Sequence, residues 1–94
     1  MILVAYDISN NNVRNAVIKV LRGMGFYRIQ KSVFVGDIEW KVFKSIIKHA
    51  NIFIDIKTDI ISCYYINKDN YENAITLGNF EDNYFANLED FIIF

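Results

Sequence analysis

An apolar run that ends in an acid constrains the fold of this chain most strongly. Residues 2–6 are all apolar, Asp7 follows at once, and a helix signal comes directly after it. An almost continuous apolar run of this length is typical of a strand that is buried on both faces at the centre of a sheet. The sequence therefore predicts a central strand that carries a carboxylate at its end.

A helix and further strand segments follow this first strand. Ser9 or Asn10 offers an N-cap, and the apolar residues after it recur at helical spacing. Gly23 and Gly25 are expected to end the helix in the left-handed conformation. Residues 26–38 are rich in β-branched and aromatic side chains, which predicts either one long bent strand or two strands that meet at a tight corner.

The rest of the chain again alternates helix and strand patterns. Apolar spacing predicts a second helix that starts near Glu39 and runs to about Asp55. Residues 60–66 predict another strand of the central type, residues 67–70 a polar turn, and residues 74–77 a short strand.

This order of elements predicts an α+β domain, a ferredoxin-like βαββαβ sandwich over residues 1–78 with an extra C-terminal strand. Both helices would cover one face of an antiparallel sheet, and the uncovered face of so small a domain favours a homodimer. Residues 79–94 form an acidic tail with many large apolar groups, which we expect to pack on the domain or on a partner.

The composition excludes several classes of site. The chain has 94 residues with one cysteine, Cys63, and one histidine, His49, so it can form neither an intrachain disulfide nor a Cys/His zinc site. Its first residues lack the basic segment of a signal peptide, and the apolar run is too short to span a membrane. We expect a soluble, cytoplasmic protein without a membrane partner.

The formal net charge of -1 conceals an asymmetry between the halves. Residues 1–50 carry eight basic and three acidic residues, a net of +5, whereas residues 51–94 carry two and eight, a net of -6. Such asymmetry points to an anionic partner or to the association of unlike surfaces, although two solvated faces would give the same counts.

Asp7 is the best candidate for a chemical role. A turn or a helix N-terminus would account for an aspartate here, but a strand end is also where functional groups are presented. One carboxylate is a weak site for Mg²⁺, which prefers several oxygen ligands. A two-fold dimer would bring two copies together, and this arrangement would suit attack of water on a phosphodiester with the help of Mg²⁺ or Mn²⁺.

Three basic residues are candidate nucleic-acid contacts: Arg14 in the first turns of the first helix, and Arg28 and Lys31 in the strand segment that follows it. Arginine donates in a planar fork that matches phosphate oxygens. Arg14 could equally belong to the solvent face of the first helix. Nucleophilic catalysis by Cys63 or Ser32 has no support, since no recognisable spacing places a base beside either.

Three blocks of the sequence resemble a known family. They are Ala5–Ser9, Val13–Arg14 and Gly25–Gly36, and the similarity continues through the strand that begins at Asp59 to residues 77–78. These blocks resemble the signature of the CRISPR-associated Cas-two family, the small dimeric protein of the spacer-acquisition machinery.

The resemblance implies a ferredoxin-like homodimer in which residues 74–77 add a strand to the partner's sheet. It implies that Asp7 is paired across the two-fold axis as the catalytic metal ligand of a Mg²⁺-dependent endonuclease acting on RNA or DNA. It also implies an integrase subunit as partner in spacer acquisition.

By motif position the resemblance assigns functional roles to further residues, with Tyr6 and Phe34 shaping the catalytic site and Arg14 and Arg28 gripping phosphates. Ala16 departs from the pattern, because some members carry a second arginine there. The leading hypothesis is thus a metal-dependent endonuclease. A DNA-bridging structural subunit without catalysis and a toxin-like ribonuclease of related fold are the alternatives.

Overall fold

The computed structural model describes residues 1–78, which form one antiparallel sheet with helices packed on it. The strands are β1 (Ile2–Asp7), β2 (Tyr27–Gln30), β3 (Val33–Gly36) and β4 (Ile60–Tyr65). The helices are α1 (Asn11–Gly23), α2 (Trp40–Ile47) and α3 (Lys68–Glu72), with a 3-10 segment at Lys48–Ile52. The predicted α+β class is confirmed. The role predicted for residues 79–94 lies outside the described residues.

The sheet has the strand order β2-β3-β1-β4, so β1 lies inside it with a neighbour on each side. Both neighbours are antiparallel, and the pairing with β4 runs from Ile2 opposite Tyr65 to Asp7 opposite Ile60. The predicted central position of β1 is confirmed. The segment 26–38, for which one or two strands were possible, forms two strands joined by a tight turn at Lys31.

Helix α1 begins as the sequence predicts. Asn10 is the N-cap, and its side-chain oxygen accepts hydrogen bonds from the amides of Asn12 at 2.8 Å and Val13 at 3.1 Å. Two of the amides that a helix start leaves without partners are thereby satisfied. Only one of the two glycines at the other end is left-handed, since Gly25 has a φ of 84° whereas Gly23 is the last residue of the helix.

The main core lies between the sheet and the helices α1 and α2. Phe34 of β3 and Phe43 of α2 are fully buried at its centre, and the ring of Phe26 stacks on that of Phe43 with centroids 5.4 Å apart. Gly36 lets the Phe26 ring lie against the end of β3, because a Cβ atom at position 36 would come within 2.4 Å of a ring carbon. The absence of a side chain is therefore a packing requirement here.

The face of the sheet opposite α1 and α2 is only partly covered, and we call it the outer face. The side chains of Leu3 and Val35 lie on this face, and Tyr71 of α3 packs against the end of the face that these two residues form. Elsewhere on the outer face, Ile60 and Tyr64 of β4 are 58% and 54% exposed. Within the part of the chain that the structure describes, these apolar side chains of the outer face thus remain uncovered.

The predicted second helix is too long. Helix α2 starts at Trp40, as expected, but its α-helical part ends at Ile47 rather than near Asp55, and the chain continues as the 3-10 segment. Of the isoleucines beyond it, Ile54 packs against the core, whereas Ile52 and Ile56 are 79% and 73% exposed. Tertiary packing supplies most of the stability of a helix, so the regular helix stops where packing stops.

Strand β4 lies at an edge of the described sheet, so the prediction that it is of the central type is wrong. A short apolar run predicts that a strand is buried, but it does not indicate which neighbour buries it. In β4 the apolar side chains of the outer face, Ile60 and Tyr64, are exposed within the described residues. The predicted polar turn at 67–70 is instead the start of α3, where the Asn67 side chain accepts a hydrogen bond from the amide of Asp69 at 2.9 Å.

The segment 74–77 forms no strand within the described chain and contains a single bridge residue, Thr76. Pairing of this segment with the sheet of a partner stays a prediction.

Replacement of Gly36 by alanine should destabilise the fold by about 1–3 kcal/mol, because the new methyl group would overlap the Phe26 ring. Gly23→Ala is the matched control, since no atom lies within 4 Å of the position of its Cβ and the residue is helical. We expect the control to be neutral or slightly stabilising. Urea unfolding followed by circular dichroism measures both changes, and equal stability of the two variants would contradict the packing account.

Candidate metal and nucleic-acid site

Asp7 is exposed at the end of β1 and lies on the outer face. The side chains of a strand alternate between faces, so Leu3, Ala5 and Asp7 share one side while Tyr6 points into the core. Among residues 1–78, no donor forms a hydrogen bond or an ion pair with the Asp7 carboxylate. Its oxygens are therefore available to a ligand.

The loop that follows Asp7 is held by a second aspartate. Asp59 Oδ1 accepts hydrogen bonds from the amide and the hydroxyl of Ser9, both at 3.2 Å, and from the hydroxyl of Thr58 at 3.1 Å. Its other oxygen accepts the amide of Asp55 at 3.0 Å. This network joins the end of β1 to the start of β4.

Sequence reasoning missed Asp59 as a functional candidate. The hydrogen bond from the Asp55 amide, followed by those from Ser9 and Thr58, holds the pKa of Asp59 below its usual range despite a smaller opposing effect of desolvation. The signal in the sequence is an aspartate directly before a strand, a position at which side chains cap backbone amides. That signal indicates a turn, but it does not indicate which loop the turn holds.

Arg14 supports the same loop from the helix side. Its guanidinium donates to the carbonyl oxygen of Ile8 at 2.8 Å and to the side-chain oxygen of Asn11. The side chain is half-buried. One of its guanidinium nitrogens therefore binds the backbone of the loop between Asp7 and α1.

Tyr6 connects the core to the turn that carries Lys31. Only 5% of Tyr6 is exposed, its amide donates to the carbonyl of Ser32 at 3.0 Å, and its hydroxyl donates to the carbonyl of Lys31 at 3.3 Å. Its ring stacks on the fully buried Phe34 with centroids 6.2 Å apart. The predicted role of Tyr6 and Phe34 in shaping the site stays a prediction, and their side chains lie behind the sheet from Asp7.

Arg28 lies on the helix side of the sheet, opposite the face of Asp7. Its guanidinium carbon is 5.3 Å from the centroid of the Phe34 ring, a cation–π geometry. Its Nε is buried, and no described residue accepts a hydrogen bond from it. Arg28 belongs to β2, which is an edge strand of the described sheet.

The structure thus brings only some of the predicted site residues together. Asp7, Arg14 and Lys31 lie at one end of the sheet, whereas Arg28 lies farther along it and on the other face. No group of three or more His, Cys, Asp or Glu residues that could hold a metal ion occurs within residues 1–78. Within residues 1–78, one chain therefore offers a metal the Asp7 carboxylate but no cluster of three such side chains.

Cys63 has the properties of a structural residue. It is half-buried, and burial raises the pKa of its thiol to about 11, so the nucleophilic thiolate is scarce at neutral pH. It lines an open groove of about 210 Å³ beside α2 that does not include Asp7. A second groove, of about 520 Å³, lies around Trp40 and Tyr65 at the end of the sheet where β1 begins.

None of the helices within residues 1–78 combines the length and the apolar character needed to cross a bilayer.

Comparison with known proteins places the chain in a family. The family model of CRISPR associated protein Cas2 matches residues 1–74. The CRISPR-associated endoribonuclease Cas2 2 of Pyrobaculum aerophilum is 32% identical over 77 residues, which cover 82% of this chain and 85% of that protein. The CRISPR-associated endoribonuclease Cas2 of Aeropyrum pernix is 34% identical over 77 residues, covering 82% and 84%.

Solved structures agree with the sequence relatives. The crystal structure of Streptococcus pyogenes Cas2 superposes with a TM-score of 0.68 at 30% identity and covers 82% of this chain and 98% of that one. A hypothetical protein from Thermus thermophilus, TT1823, superposes with a TM-score of 0.60 at 25% identity, covering 70% and 79%. The sequence blocks around Asp7 and the antiparallel sheet that carries them therefore belong to a member of the CRISPR-associated Cas2 family.

Proposed function

We propose that this protein is a homodimeric, metal-dependent endoribonuclease whose site is built from two copies of Asp7. The observation that carries the proposal is the exposed Asp7 carboxylate, which has no partner among residues 1–78 and lies on an apolar sheet face that remains open. RNA is the first substrate to test, because the curated relatives are named endoribonucleases. DNA is the second.

The outer face supports a dimer of a definite kind. Ile60, directly opposite Asp7 in the β1–β4 pairing, and Tyr64 on the same strand are more than half exposed. Burial of such side chains is favourable by about 25 cal/mol per Å² of apolar surface. In a two-fold dimer the same patch meets itself, so contact through this face would bring the two Asp7 residues near one axis.

The donor set fits a hard divalent cation only when two chains combine. Two carboxylates, with water and phosphate oxygens completing the shell, match the preference of Mg²⁺ and of Mn²⁺. Such an ion supplies a water nucleophile at neutral pH and offsets the charge of the phosphodiester. The protein contributes the exposed carboxylates, held at a strand end where the backbone is fixed by pairing.

The basic residues at the same end would hold the substrate. Lys31 is exposed on the turn that Tyr6 fixes beside the end of β1, and it would contact phosphate. Arg14 would offer the donors that the Ile8 and Asn11 oxygens leave free. Arg28 would reach only a substrate that extends over the β2 edge. Contacts of this kind give binding that depends on salt but not on sequence.

We further propose a ferredoxin-like dimer in which residues 74–77 of each chain pair with the partner's sheet. The strand order β2-β3-β1-β4 and the order of helices along the chain support this topology. Ile75 and Leu77 are 75% and 76% exposed, so their side chains are not committed to the core of residues 1–78. Family membership supports an integrase subunit as the partner of this dimer in spacer acquisition.

Replacement of Asp7 by asparagine should abolish Mg²⁺- or Mn²⁺-dependent cleavage of RNA, because the variant lacks the charge that holds the ion. The variant should remain a folded dimer, since Asp7 is exposed and makes no bond to residues 1–78. Asp37→Asn is the matched control, because Asp37 is 78% exposed at the opposite end of β1. Gel analysis of labelled RNA with and without metal measures the difference.

Undiminished cleavage by Asp7→Asn would refute the catalytic assignment. Wild-type protein that cleaves neither RNA nor DNA across a broad range of pH and metals, yet supports spacer acquisition, would identify the DNA-bridging structural subunit instead. Cleavage of cellular RNA with no dependence of spacer acquisition on the protein would identify the toxin-like ribonuclease.

Replacement of Ile60 by lysine should shift the protein from dimer to monomer and reduce cleavage in parallel, because a charge would replace an apolar side chain at the centre of the proposed interface. Ile52→Lys is the control: Ile52 is even more exposed but lies in the 3-10 segment beyond α2. Analytical ultracentrifugation measures the assembly state. A dimer of unchanged affinity in Ile60→Lys would contradict association through the outer face.

A further inference from the structure

We infer that Asp59 is a positioning residue for Asp7: by binding Ser9, it fixes the direction in which the chain leaves β1 and so holds the metal-binding carboxylate in place. The inference rests on the proposed function, because it assigns Asp59 a role in that same site. It depends on the hydrogen bonds between the two loops at the end of β1 and the start of β4.

The geometry of Asp59 is that of a clamp between loops. Its Oδ1 accepts both donors of Ser9, the amide and the hydroxyl, at 3.2 Å each, across 50 positions of sequence. The amide of Asp55 and the hydroxyl of Thr58 bind it from its own loop at 3.0 Å and 3.1 Å. The backbone of Asp59 is itself anchored, since its amide donates to the Asp55 carbonyl at 2.7 Å. A rigid turn therefore holds Ser9 from outside the sheet.

Asp59 is not itself a second metal ligand in this arrangement. Asp59 precedes Ile60, the pairing partner of Asp7, so the two acids are neighbours at the same end of the sheet. Both oxygens of Asp59 are occupied by donors from the protein, however, whereas those of Asp7 accept none from residues 1–78. One acid is thus available to a cation and the other is committed to the loop.

The lever is short. The pairing of β1 with β4 ends at Asp7, and Ser9 follows two residues later. Between the strand end and the Asn10 cap, two side chains tie down the backbone: Arg14 at the carbonyl of Ile8, and Asp59 at Ser9. Without Asp59, Arg14 is the one side chain of these two that still holds the backbone beyond the last paired residue. Groups that orient a metal ligand typically change metal affinity or activity by about 10–100-fold when they are removed.

The test compares two alanine variants in the full-length protein. Asp59→Ala removes the acceptor for Ser9. Asp55→Ala removes the same charge from the same loop and costs one side-chain bond, to the amide of Lys57, but it keeps the Asp55 amide that binds Asp59. The measurements are kcat and KM for RNA cleavage with Mn²⁺, Mn²⁺ affinity by electron paramagnetic resonance, and thermal unfolding.

We expect Asp59→Ala to lower both kcat and Mn²⁺ affinity about 10-fold or more, with KM for RNA within about twofold of wild type. Asp55→Ala should match wild type in all three. A purely structural role would move the unfolding temperature but not Mn²⁺ affinity in the folded protein. If Asp59→Ala does not fold, Asp59→Asn takes its place, since asparagine keeps the size but has one acceptor oxygen and an NH2 donor where the second oxygen was.

The outcomes separate the inference from the proposed function. Folded Asp59→Ala with the kcat and Mn²⁺ affinity of Asp55→Ala overturns the inference and leaves the proposed function standing. A loss of cleavage at unchanged Mn²⁺ affinity also overturns it, because Asp59 would then act other than through Asp7. Wild-type protein that neither cleaves RNA nor binds Mn²⁺ overturns the proposed function, and the positioning role with it.

Discussion

The pairing of β1 on both sides is the constraint on which the rest of the molecule depends. β3 pairs with β1 as far as Ala5 and β4 pairs with it from Ile2 to Asp7, so the backbone of β1 is held on both edges over most of its length and by β4 alone at its last residue. Asp7 is that last residue. A small domain can thereby present one carboxylate at a defined position, which is what a site shared between two copies would require.

Side chains alternate between the two faces of the sheet along β1, so a residue that packs in the core is followed by one that lies on the outer face. Tyr6 points into the core, stacks on Phe34 and binds the turn at Lys31, whereas its neighbour Asp7 points to the open outer face. The core on one side of the sheet thus holds the elements of the candidate site on the other. Arg14 continues this arrangement beyond the strand, because its guanidinium fixes the loop that leads to α1.

Local patterns predicted the elements whose cause is local. The apolar run of β1 and the cap at Asn10 follow from strand burial and unsatisfied helix amides, and both are present. The end of α2 and the edge position of β4 were mispredicted, because they depend on which surfaces other elements leave uncovered. Asp7 could be selected from sequence as an acid at a strand end. Asp59 could not, since its partner Ser9 is 50 residues away.

The ties made by Tyr6 have a consequence for how mutational scans of such a protein are interpreted. A substitution that removes its hydroxyl would remove the hydrogen bond to the Lys31 carbonyl, and one that shifts the Phe34 ring would disturb its stacking on Tyr6, so the Lys31 turn beside Asp7 would lose support from the core. In a screen scored by phenotype alone, these core positions would be indistinguishable from the exposed acid beside them. Measurements of folding and of activity in the same variants are needed to tell a ligand from its scaffold.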